Sequence, residues 1–558
     1  MFKSYEESRG FHTLVNLDGV VDHQTFVTKS GELLQVIAFR GKDVECLEVA
    51  DIDVLSRGCK AALRAFDERF ILNTYLLKRS RPSLILSTAG NPVVNEALKN
   101  RHAFLNSKSD SLFTVDAFMT VLLKPDARSP RLLDRVTAFG RNPLDALKKQ
   151  FDVGRRSQAI DEEIERALRI LKHATGSFLE QTGETLACRL LDADEAYSFF
   201  RRLLNPDGDK ASAIGLTSAS DLDVSLVDSE LECYRDHLRL DNYFIKTLTL
   251  KELPSRTFAA MLSDLVGVRS DLMVVTEWNA LEPTAALAKI RSKRRHAHNT
   301  KVGLFSQLGS ERPYERELLF DDSKEAVVSD LGECLKAIEM RGVHLGEFSL
   351  SVVIIGGTLE EAERSAAEVM KAVGRHEGSL NEERYNGLNA FLATLPAGHP
   401  YNLRRQLVTD ENYADLVPWF LPAEGEKRNT FLGADCLAAF ETEDQSLYHF
   451  NLHVQDVPHT LVLGATGSGK SFLMNFLLTF AQQYEPYTFI FDVGGSYRWF
   501  TQLHRGACVA FRPESRSFSI NPFCLDPTEG NLEFLYSWVK LLIESDGTRL
   551  NDAEGREL

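Results

Sequence analysis

Gly464-Ala465-Thr466-Gly467-Ser468-Gly469-Lys470-Ser471 is the stretch on which the reading of this chain turns. Its glycines allow consecutive backbone N–H groups to turn inward around the phosphates of a nucleotide. Lys470 would reach the β/γ-phosphates, and the Ser471 hydroxyl would sit on Mg²⁺. The spacing therefore predicts a cradle of Gly464, Ala465, Thr466, Gly467, Ser468, Gly469, Lys470 and Ser471, with Lys470 as the catalytic cation and Ser471 as the metal ligand. The flanks match this reading. Thr460-Leu461-Val462-Leu463 reads as a short buried strand, and Phe472 to Ala481 as a helix apolar nearly all round, hence buried.

The chain has 558 residues, room for three or four domains, and its 44% hydrophobic content is ordinary for globular cores. A net charge of −16 argues against a general nucleic-acid coat, although a local basic patch is compatible with an acidic total. The cysteines at 46, 59, 188, 233, 334, 436, 508 and 524 are scattered without a CxxC pair or metal-ligand spacing. They read as reduced thiols of a cytosolic protein. The start lacks an apolar signal core, and no run of eighteen apolar residues occurs. A chain that is neither exported nor membrane-spanning is expected, with peripheral attachment to a membrane complex left open.

Along the chain, Phe26 to Phe39 predicts a hairpin turning at Lys29-Ser30-Gly31, with Arg40-Gly41 ending its second strand. Val54 to Phe70 has helical spacing, while Phe70 to Lys78 and Phe113 to Leu123 read as strands. From Ser129 to about Leu204 the pattern is helical and charged. Ile160, Ile164, Leu168 and Leu171 mark an amphipathic helix there. Asn205 to Ser220 reads as a loop and subdomain boundary. Strands at Tyr243–Leu250 and Asp271–Thr276 follow, around a helix Ser255–Val266 capped by Ser255. Lys289 to His296 is the one dense basic run, read as a solvated, salt-bridged helix face more readily than as a nucleic-acid or lipid contact. A helix at Phe320–Met340, a buried strand at Phe348–Ile355 and a helix at Leu359–Val373 come next. From Leu388 to Glu426 prolines and aromatics crowd an irregular passage that reads as a connector.

Beyond the loop helix, Thr488 to Asp492 reads as an apolar strand ending in a carboxylate, followed by Val493-Gly494-Gly495. Ligands of open α/β sheets bind at the carboxyl ends of strands, which puts Asp492 near the nucleotide. It reads as the Mg²⁺-facing acid of a Walker B strand or, more simply, as the end of the next strand in order. Phe518 to Phe523 reads as a strand running into a turn, and Leu532 to Glu544 as an amphipathic helix.

Phe450-Asn451-Leu452-His453, the phosphate loop, Phe491-Asp492-Val493-Gly494-Gly495-Ser496 and Ile520-Asn521-Pro522-Phe523 together resemble the large ATPases of bacterial conjugation and type IV secretion, the VirB/TrbE/TraC/CagE kind. Tyr385 to Phe391, Asp415 to Phe420 and the opening hairpin resemble the same family. Val493 departs from it, since many members carry lysine there, and so does Pro396-Ala397-Gly398 in place of a plainer Pro-Gly. The resemblance implies an α/β architecture: an N-terminal mixed α/β region followed by a RecA-like P-loop NTPase domain. It implies subdomains at 1–204 and 205–425, the latter including the connector, and the motor from 426 to 558. It also implies ATP and Mg²⁺ as cofactors, rings that are often hexamers, and docking on inner-membrane secretion components from the cytoplasmic side. Thr466 to Ser471 carry over as nucleotide ligands, and Asp492 as a family motif near the site.

Hydrolysis further needs an acid holding Mg²⁺, a residue orienting water and usually an arginine finger. From Phe523 onward the sequence offers no apolar strand ending in Asp-Glu. The motor is therefore expected to be incomplete, and the chain a fragment of a longer ATPase. Two other readings stand beside the leading one: a non-hydrolysing interaction module of a secretion complex, and a related DNA translocase or coupling ATPase.

Overall fold

The computed structural model describes residues 10–80, 89–125, 153–217, 221–254, 256–301, 343–510, 521–545, 547, 549–551 and 554. It forms two compact units, Met1–Ser87 with Lys99–Thr460, and Thr88–Leu98 with Leu461–Leu558.

In the first unit the strands are β1 (Leu17–Asp22), β2 (Thr25–Thr28), β3 (Leu33–Phe39), β4 (Phe70–Ser80), β5 (Phe113–Leu123), β6 (Arg189–Leu190), β7 (Leu231–Cys233) and β8 (Leu238–Leu240). They continue with β9 (Tyr243–Glu252), β10 (Asp271–Ala280), β11 (Leu345–Gly356), β12 (Ser379–Glu382) and β13 (Gln406–Thr409). Among the described residues these make one 13-stranded sheet, with a main path β1-β2-β3-β5-β4-β10-β11-β9-β8-β7. Its pairs are antiparallel, and β4 lies against β10 with Thr74 opposite Thr276. Residues 1–204 and 205–425 thus contribute strands to a single sheet.

The predicted hairpin forms, with Phe26 opposite Leu34 and Gly31 at φ 80°. The continuous apolar runs of β4, β5 and β11 arise because both faces of the sheet are covered. One face packs Leu72, Leu76, Val121 and Leu350 under Phe178 of the helix Val153–Leu186, Val369 of the helix Leu359–Gly374, and Trp419. The other packs Ile71, Tyr75, Leu122 and Val353 under Phe199 and Phe200 of the helix Ala193–Leu204. Cys59, Cys188, Cys233, Cys436, Cys508 and Cys524 are free thiols.

Several expectations change. The helix expected over Ser255–Val266 is only a 3-10 turn at Met261–Leu265. Ala260 at φ 67° breaks it, and the Thr257 hydroxyl is tied instead to the Asp415 carboxylate at 2.7 Å. Between Ser129 and Leu204, residues 129–152 lie outside the described residues. The remainder is broken by β6, which pairs with β3. Phe320–Met340 also lies outside. The basic run falls in the helix Pro283–Lys301, where Lys289 pairs with Glu347.

The passage expected as a connector is part of the core. It holds the helices Gly387–Ala393 and Asp410–Asp415 as well as β13, and it buries Trp419, Phe420 and Leu421. Several of its polar groups find partners on the sheet or close beside it, which helps permit burial of irregular backbone. Arg405 Nε donates to Glu277 at 2.7 Å, Arg404 Nε to Glu383 at 2.6 Å, and Trp419 Nε1 to the Ala414 carbonyl at 3.1 Å. Gly41, at φ 67°, lets this passage close, since a Cβ there would stand 2.5 Å from the Trp419 carbonyl oxygen.

Asn205 to Ser220 was expected as a loop; residues 218–220 lie outside the described residues, and the part before them, which holds the short helix Gly208–Ser212, is tied to the core by Arg201. This fully buried guanidinium donates to the carbonyls of Ala211 (3.1 Å), Lys210 and Ser225 and to the Asp228 carboxylate. Arg201→Met would strand those acceptors and is expected to cost about 3–5 kcal/mol. Arg202→Met, which removes the partly exposed pair with Asp116, should cost about 1 kcal/mol or less. Urea unfolding of both variants checks the contrast. Equal losses would refute it.

Glu32 and His399 meet where the 397–405 segment crosses the sheet, Oε1 to Nε2 3.3 Å. Burial pushes the Glu32 carboxyl up to about 7. Burial, then the positive charges of Arg405 and Lys124, push His399 down to about 4. A raised carboxyl favours the fold at low pH and weakens it as pH climbs from about 4.5 to 7. A depressed imidazole weakens the fold as pH falls from about 6.5 to 4. The two slopes oppose each other between about pH 4.5 and 6.5. Relative to the wild type, Glu32→Gln is therefore expected to lose stability as pH falls through that window, and His399→Gln as pH rises. The difference should reach roughly 3 kcal/mol at the far end. Urea titrations at stepped pH check this, and variants with the wild-type profile would refute it.

Candidate functional site

The phosphate loop lies in the second unit, Thr88–Leu98 with Leu461–Leu558. Gly467 and Gly469 hold φ 83° and 94°, backbone that a side chain would strain. Gly469 is the N-cap of the helix Lys470–Ala481, which begins without a side-chain cap. The first-turn N–H groups of such a helix attract an anion. At Gly464 a Cβ would stand 2.6 Å from Ser468 Oγ, so a larger residue there would need the exposed Ser468 side chain to turn away.

Lys470 curls back over its own loop, donating to the carbonyls of Gly464 at 2.7 Å and Ala465 at 2.8 Å. The Ser468 N–H closes a turn on the Ala465 carbonyl at 3.2 Å. Thr466, Ser468 and Ser471 are exposed, and Lys470 is half-buried. These features fit a nucleotide phosphate chain: positive-φ glycines, an open helix start and a lysine at the loop mouth.

Among the described residues no hydrogen bond or ion pair joins Asp492 to the loop. Its Oδ2 accepts the Tyr497 N–H at 3.2 Å, closing the turn that contains Gly494 (φ 139°) and Gly495 (φ 78°). Asn475 links this turn to the loop helix, its Nδ2 donating to the Ser471 carbonyl at 2.8 Å and the Ser496 carbonyl at 3.4 Å. Sequence reasoning missed Asn475. The signal was an amide four residues after Ser471 in an otherwise apolar stretch, one helical turn along the same face.

The flanking strands do not form among the described residues. Thr460–Leu463 and Thr488–Asp492 are unpaired, with Leu463 80% and Phe491 98% exposed. A strand is held by backbone partners, and neither segment has one here. For the same reason the loop helix is not buried all round. Leu477 and Phe480 are covered, and Phe472 is exposed. Phe518–Ile520 lies outside the described residues, and Asn521 caps a 3-10 turn at Pro522–Cys524. The expected helix is present at Glu529–Glu544, started by Thr528.

Among the described residues no cluster of His, Cys, Asp or Glu could hold a metal ion, and no helix is long and apolar enough to cross a membrane.

Comparison with known proteins brings the two units together. Residues 24–130 match the family model for the type IV secretion system ATPase VirB4/TrbE, N-terminal domain, and residues 449–545 match the TraG P-loop domain. The type IV secretion system protein virB4 of Bartonella quintana (strain Toulouse) is 22% identical over 547 residues, covering 96% of this chain and 65% of that protein. The conjugal transfer protein TrbE of Rhizobium radiobacter is 22% identical over 592 residues, covering 98% of this chain and 67% of that protein. The type IV secretion system protein PtlC of Bordetella pertussis (strain Tohama I / ATCC BAA-589 / NCTC 13251) is 24% identical over 331 residues, 56% of this chain and 37% of that protein. With an N-terminal-domain match, a P-loop match whose residues include the cradle, and relatives aligned along nearly all of its length, this chain belongs to the VirB4/TrbE type of type IV secretion ATPases.

Proposed function

We propose that the chain binds ATP with Mg²⁺ at Gly464–Ser471 and serves as the energising subunit of a bacterial type IV secretion or conjugation system. Pilus biogenesis and substrate transfer would be driven by ATP hydrolysis. The observation that carries this reading is the loop itself: Gly467 and Gly469 at positive φ feeding the uncapped helix Lys470–Ala481. Backbone N–H groups of residues 467–471 would hold the phosphates, the Lys470 ammonium would neutralise them, and the Ser471 hydroxyl would ligate Mg²⁺. Bound ATP would supply the phosphoanhydride bond whose cleavage releases free energy. Asp492, tied beside the loop helix through Asn475, is the carboxylate from which a metal-bound water would be positioned. In this reading 426–558 belongs to a RecA-like motor, in which 460–463 and 488–492 are strands. The motor assembles as a ring, with residues before it docking on inner-membrane components.

Lys470→Ala is expected to weaken binding of a fluorescent ATP analogue about 10- to 100-fold, the loss of one charge-assisted contact. Thermal unfolding of the variant should not change, since the lysine bonds only loop carbonyls. Binding equal to wild type would sink the assignment. Ser471→Ala should bind nucleotide equally with Mg²⁺ and with chelator, whereas the wild type should bind more tightly with Mg²⁺. Phosphate release measured beside binding then separates a hydrolysing motor from a module that only holds nucleotide.

A further inference from the structure

In the first unit a cleft of about 550 Å³ opens between residues 43–45, the 263–268 segment, the last turns of the helix Leu359–Gly374 and residues 420–422, with Asp444 on its rim. Part of its wall is apolar, from Val44, Val266, Ala372 and Phe420. The size suits one or two side chains of a ligand.

The charges around it are unequal. Asp43, Glu45, Asp264, Glu368 and Asp444 face Lys371 and Arg375. Asp264 is already shared by Arg375 at 3.8 Å and His376 at 3.2 Å. Asp43 is fixed in place, accepting the N–H groups of Glu45 at 3.0 Å and Ala423 at 2.9 Å. Burial, together with the negative charges of Asp43 and Glu443, holds the Asp444 carboxyl above its ordinary range despite the pull of Lys78. Lys78 lies buried, its ammonium donating to the carbonyls of Val266 and Val268.

We infer that this cleft receives a segment of a partner protein in which a lysine or arginine is flanked by apolar side chains. The cation meets Asp43, Glu368 and Asp444, and the flanking side chains cover Val44, Ala372 and Phe420. The surplus of carboxylates repels a phosphate backbone, which disfavours nucleic acid as the occupant. A second copy of a chain of net charge −16 is disfavoured on the same ground.

The test uses the whole chain and a fluorescein-labelled peptide alternating arginine with leucine, followed by anisotropy. Binding should weaken with salt, and the peptide with citrulline in place of arginine should bind at least about tenfold more weakly. Glu368→Gln with Asp444→Asn should weaken binding about three- to tenfold, and Lys371→Glu should tighten it about threefold. Opposite signs in two folded variants exclude a folding defect as the cause. Lys470→Ala should leave peptide binding unchanged. Equal binding of the citrulline peptide, no binding at all, or unchanged affinity in both variants overturns the proposal. Displacement of the peptide by a single-stranded oligonucleotide would assign the cleft to nucleic acid. Self-association that disappears in the Glu368→Gln, Asp444→Asn variant would assign it to a second copy. Either result overturns it as well.

Discussion

The pairing of β4 with β10 is the constraint on which the first unit depends. It runs from Lys78 opposite Leu272 to Leu72 opposite Trp278, and joins a strand from early in the chain to one nearly two hundred residues later. On its outer sides β4 is paired with β5 from Phe70 to Ser80, and β10 with β11 from Asp271 to Ala280. Both faces of these strands are buried, so a slip of one residue would exchange every core side chain for its neighbour on the opposite face. The Thr74 and Thr276 hydroxyls, bonded to each other inside the sheet, mark the register. A slip would part them and leave two buried hydroxyls without partners.

Several charges in this interior are met by a partner from another part of the chain. Glu277 is 2% exposed and is met by Arg405 from the crossing segment, with burial holding its carboxyl above the ordinary range against the pull of Arg405. Lys78, also buried, sits over the Phe113 ring at 4.3 Å and caps two carbonyls, and burial pushes it down to about 8. Neither arrangement is a large source of stability, since desolvation offsets most of the attraction. Their effect is specificity: the 397–405 segment has one seat on the sheet at which Arg404, Arg405 and His399 all find partners.

The strands of the first unit were legible because two-sided burial writes itself as an apolar run. Phe113–Leu123 was read with its observed limits, and Phe70–Lys78 and Phe348–Ile355 within theirs. Their order in the sheet was not legible, because antiparallel partners far apart in sequence leave no local mark. The passage 388–426 was misread for a related reason. Proline and aromatic residues advertise irregular backbone, yet whether that backbone is buried depends on distant acceptors such as Glu277 and Glu383. Arg201 hid in the same way, its charge suggesting surface while its partners came from residues 210–228.

In the second unit the balance between local and distant forces is reversed. The loop is specified by its own few residues: glycines that alone tolerate the required φ, a lysine reaching two carbonyls, and a helix whose hydrogen bonds are all local. Such a motif needs no distant pairing to take shape, which is why a pattern of eight residues could be read so directly. A strand has no comparable self-sufficiency, since its N–H and C=O groups point sideways to another segment. Thr488–Asp492 therefore carried a strong strand signal and is nevertheless unpaired among the described residues, while the turn after it is held by the Tyr497 N–H on Asp492. Asn475 makes one further connection, setting that turn against the start of the loop helix without a sheet between them. The relative position of Ser471 and Asp492 is thus set in part by two side-chain amides of this helix and its end, Asn475 on the Ser496 carbonyl and Gln482 on the Thr488 hydroxyl, and a signature that names only the loop omits both.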